Sequence, residues 1–109
     1  MFFNYEILDL YVDSYKLQIE ANELYKKSGI YEQKFLSAIY IQTHHLIDLI
    51  DKYLESQNKY DEPFMNMKNE LESALNRSYL YKNITNTQKI YENFQKLIKN
   101  IEKVLNLSC

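Results

Sequence analysis

Apolar residues return along this chain at steps of three and four, the spacing that lines up one face of an α-helix. The clearest case is the last third, where a seven-residue word occurs three times. Residues 86–92 read NTQKIYE, 93–99 read NFQKLIK and 100–106 read NIEKVLN. A strict heptad keeps Ile90, Leu97 and Val104 on one line and Phe94 and Ile101 on the adjacent one, so this helix should lie lengthwise against others. The first third carries Phe3, Ile7, Leu10, Ser14, Leu17, Ala21 and Leu24 at the same steps. The second carries Leu36, Ile39, Thr43, Leu46, Ile50 and Tyr53, widened by Phe35, Tyr40, Ile47, Leu49 and Leu54. A third seam runs through Tyr60, Phe64, Met67, Leu71, Ala74, Ser78 and Tyr81. No stretch alternates with a period of two for long, which argues against a sheet.

The single glycine and single proline mark the breaks. Lys26, Lys27 and Ser28 form a basic last turn, and Gly29 is expected to end the helix in a left-handed conformation. Asp61 and Glu62 before Pro63 read as a cap and first turn, and Thr85 with Gln88 has the spacing of a capping box. These signals predict helices over residues 4–27, 31–56, 63–81 and 86–107. Short connections between long helices make neighbours antiparallel, so the expected fold is an all-α, up-down-up-down four-helix bundle forming a single domain over residues 1–109. A three-helix bundle kinked near Gly29 is the alternative.

The first helix has a surplus. Tyr5, Leu8, Val12, Tyr15 and Ile19 form a second stripe, opposite Ile7, Leu10, Leu17 and Leu24 on the helical wheel. A bundle helix needs one apolar face, so something should cover the other. The stripe can simply stand in solvent, since the wheel is approximate, tyrosines snorkel and isolated exposed aliphatics are common; a displaced C-terminal helix can lie over it; or it is a homodimer seam or docking face for another protein. Burying each Leu, Val or Ile contributes roughly 1.5–3 kcal/mol, from which association entropy subtracts heavily.

Composition changes this picture little. The chain is 46% hydrophobic and 26% charged, globular values that exclude a disordered segment. The longest nearly apolar run, residues 35–41, falls far short of the roughly 20 residues that span a bilayer. The start has no basic region and is interrupted by Glu6 and Asp9, unlike a secretory signal; with one cysteine, Cys109, a cytoplasmic setting is expected. Charge is uneven. Residues 1–62 hold 11 acids and 6 bases, a charge of −5, whereas residues 63–109 hold 4 acids and 7 bases, a charge of +3. An acidic hairpin packed on a basic one would explain it.

Candidate chemistry is sparse. His44 and His45 point away from their seam with Asp48 and Asp51 nearby, too few ligands for a metal centre, and no cofactor or small-molecule ligand is expected. One glycine and a terminal cysteine preclude a phosphate loop, a nucleophile elbow or a Cys-His pair. Lys82, Lys89, Lys96 and Lys103 recur every seven residues with Lys99 beside them, a row that can follow phosphates in a nucleic-acid-binding bundle. Glu92 and Glu102 interrupt it.

The segment Ala21-Asn22-Glu23-Leu24-Tyr25 followed by Gly29-Ile30-Tyr31 resembles the inter-helix turn of a tetratricopeptide repeat. Lys34 replaces that repeat's small residue and no second copy follows, so the likeness implies a local hairpin alone. In length, loop pattern and composition the chain is similar to small helical bacterial or phage proteins such as bacteriocin immunity proteins and secretion chaperones. The expected function is therefore a non-enzymatic interaction module (an inhibitor, immunity, anti-defence or chaperone type) acting through Tyr5, Leu8, Val12, Tyr15 and Ile19.

Overall fold

A computed structural model describes residues 5–56 and 61–108, without the side chains of residues 56, 61 and 106–108. Phe3 and Tyr60, placed on seams above, and Cys109 lie outside the described residues. Among the described residues there are four α-helices and no strand: α1 (Tyr5–Tyr25), α2 (Ile30–Ser56), α3 (Asp61–Arg77) and α4 (Gln88–Ser108). A short 3-10 helix, Tyr79–Asn83, joins α3 to α4. The molecule is an all-α four-helix bundle, with α1 flanked by α2 and α4 and α3 closing the square.

Contacts between helices give the direction of each pair. Asp13 meets Asn100 while Glu20 meets Asn93, so α1 and α4 run antiparallel in a fixed register. Tyr11 of α1 reaches Asp51 near the end of α2. Tyr53 of α2 packs edge-on against Phe64 of α3, ring centroids 5.9 Å apart. Lys68 bridges Glu72 at 3.3 Å and Glu102 of α4 at 3.7 Å.

The seams read from the sequence form the core. Ile7, Leu10, Leu17 and Ala21 of α1 meet Leu36, Ile39, Leu46 and Ile50 of α2, Leu71 of α3, and Phe94, Leu97 and Ile101 of α4 in one buried cluster. Ser14 and Thr43 are fully buried among them. Each donates its hydroxyl to the carbonyl four residues back, Leu10 and Ile39, so neither leaves a polar group unpaired in the core. Tyr40 and Leu54, counted with the second seam, are instead exposed.

Three terminators differ from expectation. Gly29 is not in the left-handed region. It stands at the start of α2, its carbonyl accepting the Gln33 amide at 3.0 Å, while α1 closes through the Lys27 and Ser28 amides on Leu24 and Tyr25. The lysines fall just past the helix, since α1 ends at Tyr25. The third helix stops at Arg77 rather than 81, because Tyr81 turns inward to stack on Phe35 at 4.4 Å and 8°. Its hydroxyl donates to the Tyr31 carbonyl at 2.8 Å, and burial raises its pKa, with Tyr31 and Glu32 adding to the effect. Finally, α4 begins at Gln88, not through a box over Thr85 and Gln88. Buried Thr87 accepts the Tyr91 amide on its carbonyl and donates its hydroxyl backwards, to Tyr81 at 2.9 Å, fastening the 3-10 turn to the helix.

Candidate functional site

The buried stripe of α1 is spent inside the bundle, and its neighbours α2 and α4 take the two flanks. What remains is the outward crest, where the second stripe runs. Tyr5 is 69% exposed, Val12 47%, Tyr15 40% and Ile19 55%. Leu8 is half-buried. Among the described residues no helix lies over this stripe: α4 meets α1 on another side, through Asp13, Leu17 and Glu20. The alternative of a displaced fourth helix covering the crest is thereby removed.

The stripe is braced at its middle. The Tyr15 ring lies 5.0 Å from that of Tyr11, centroid to centroid, tilted by 59°. Tyr11 is pushed up to about pKa 12, first by its hydrogen bond with Tyr15, then by burial and by the Asp51 carboxylate of α2. A neutral phenol thus ties the outer face of α1 to α2 throughout the ordinary pH range.

Beyond Ile19 the apolar surface continues into a groove between α1 and α2. It encloses about 310 Å³ and is lined by Ala21, Asn22, Tyr25, Leu36, Ser37, Tyr40 and Ile41. Tyr25, Tyr40 and Ile41 are exposed there. Tyr40, expected in the core from its spacing, stands instead in this extension. Its signal was present, since Tyr40 and Ile41 fall outside the tight Leu36, Ile39 and Thr43 line.

The lysine row is exposed throughout, at Lys82, Lys89, Lys96, Lys99 and Lys103. The fold nevertheless sets acids among these cations. Lys96 shares a groove of about 200 Å³ with Asp13, Lys16 and Glu20. Lys89 shares another with Glu20 and Glu23, and Lys99 lies beside Glu72 and Glu102. Acids of α1 and lysines of α4 therefore line the same grooves. His44 is exposed and its ring lies parallel to that of Tyr40, 6.5 Å away. Among the described residues, no three His, Cys, Asp or Glu side chains gather where they could hold a metal ion. Nor is any helix there long and apolar enough to cross a membrane.

Searches of protein-family models, curated proteins and solved structures find no match to this chain.

Proposed function

We propose that the protein is a non-enzymatic interaction module that binds another polypeptide through the outer face of α1. One observation carries this reading. Val12, Tyr15 and Ile19 stand in solvent at helical spacing on a helix that buries Ile7, Leu10, Leu17 and Ala21 on the opposite side. Contiguous exposed apolar surface of this kind is characteristic of docking faces, and tyrosine is enriched in them. The adjoining groove offers a recess for a side chain of the bound molecule. Roles as an inhibitor, an immunity or anti-defence protein, or a secretion chaperone all use such a face, and a single-cysteine chain suits a reducing compartment such as the cytoplasm. Phosphate tracking by α4 is less favoured, since Glu72, Glu92 and Glu102 interleave with Lys96, Lys99 and Lys103.

The test compares the full chain with a Val12→Glu, Tyr15→Glu double variant by cross-linking in cells. Wild type should capture a defined polypeptide, another chain or its own copy, that the folded double variant loses. Retention of every wild-type adduct by the variant would remove the outer face of α1 as the binding surface.

A further inference from the structure

The outer face of α1 is organised as three parallel lines seven residues apart. Tyr5, Val12 and Ile19 form the crest. Leu8 and Tyr15 form the flank toward α2, since Tyr15 packs on Tyr11 and Tyr11 reaches Asp51 of α2. Asp9 and Lys16 form the flank toward α4, with Lys16 in the groove that Asn93 and Lys96 line. Both Asp9 and Lys16 are exposed.

Resting on the interaction reading above, we propose that the occupant of this face is a second copy of the chain. Two α1 helices pair antiparallel about a two-fold axis between Val12 and Tyr15. In that register Val12 meets the partner's Tyr15 and Leu8 meets the partner's Ile19, the alternating layers of a helix seam. An antiparallel two-fold brings each flank against its own copy. The apolar flank then faces itself, and on the other side Asp9 comes within reach of the partner's Lys16, twice. A parallel pair would instead set the charged flank against the partner's Leu8 and Tyr15. The charge order along α1 therefore selects one orientation, the usual role of charges beside a helix seam. Lys16 also lies one turn from Asp13 and Glu20, in the same groove.

Area bounds the size of the contact. α1 has 21 residues. At 1.5 Å per residue and about 20 Å across two helices, the hairpin's outer side offers on the order of 600 Å². A standard specific interface takes roughly 800 Å² per partner. An interface smaller than the standard size belongs with weak, reversible association, in about the micromolar range.

Sedimentation equilibrium of the full chain from about 1 to about 500 µM covers that range and reads out the proposal. Wild type should pass from monomer to dimer. Val12→Glu should weaken the dimer at least ~100-fold, and Asp9→Lys alone about 10-fold by setting lysine against lysine at both sites. The Asp9→Lys, Lys16→Asp double variant restores opposite charges across the axis and should recover wild-type association. A wild-type chain monomeric throughout that range overturns self-pairing while leaving the cell cross-linking result to judge the interaction face. A dimer indifferent to Val12→Glu overturns the proposed seam. A dimer lost in Asp9→Lys but not recovered in the double variant overturns the antiparallel register. Circular dichroism of each variant confirms that the bundle is intact.

Discussion

α1 carries two apolar stripes of the same spacing, and the bundle treats them oppositely. Ile7, Leu10 and Leu17 are dry, whereas Val12, Tyr15 and Ile19 keep between two-fifths and just over half of their surface in water. Nothing in the local chemistry separates a Leu10 from an Ile19. The difference lies in neighbours: one side of α1 packs against α2 and α4, and no described helix lies over the other. Comparing them teaches that periodicity reports which positions can be buried together, while assembly decides which are.

That contrast can be broken most violently from the inside. Leu17→Ala, or Leu97→Ala across the core, should destabilise by about 2–5 kcal/mol through lost burial and a residual cavity. Thermal melts should fall by about 8 °C or more, given roughly 4–8 °C per kcal/mol in a domain of this size. An unchanged melt for either variant would mean that the stripe assigned to the interior is not packed.

The seam between α1 and α4 is a milder target. Asn93 and Asn100 occupy the first position of successive heptad words, and Asp13 and Glu20 are also seven apart. Their side chains pair at 2.8 Å for Asn100 with Asp13 and 3.4 Å for Asn93 with Glu20. Asn100→Ala should cost about 1–2 kcal/mol, a charge-assisted hydrogen bond at a partly buried site. A double-mutant cycle with Asp13→Ala should show coupling above ~0.5 kcal/mol in urea melts. Additive effects would mean that this contact does not hold the register.

Alkali offers a third handle. The folded state keeps the Tyr11 proton up to about pH 12, against about 10 for an unfolded tyrosine. The native state then binds more protons than the unfolded chain above pH 10, so stability is full below pH 10 and declines as pH rises toward 12. Tyr81, raised by burial, acts in the same direction. A Tyr11→Phe variant should lose less stability than wild type between pH 10 and 12, read by denaturant midpoints. Equal losses would detach Tyr11 from the alkaline transition.

The smallest expected effect is on the outer stripe. At dilutions where the chain is monomeric, Val12→Glu should change stability by no more than about 0.5 kcal/mol, because no core contact is removed. A loss comparable to Leu17→Ala would show that Val12 is packed within the monomer and would abolish the distinction between the two stripes.

Helix type, number and the positions that share a face were determined by the sequence itself. That Ile90, Phe94, Leu97, Ile101 and Val104 line one side of α4 follows from a repeat matched to the helical turn, a local property that holds whatever the neighbours. The surplus stripe of α1 was legible for the same reason. Three things were decided by the tertiary structure: the inward turn of Tyr81 onto Phe35 with Thr87 locking it, the Asn ladder on Asp13 and Glu20, and the groove at Tyr25, Tyr40 and Ile41. Each depends on groups distant in sequence, such as the Tyr31 carbonyl 50 residues before Tyr81. A heptad names the face of a helix, but its partner, register and remaining exposure arise only when four such faces compete to leave water together.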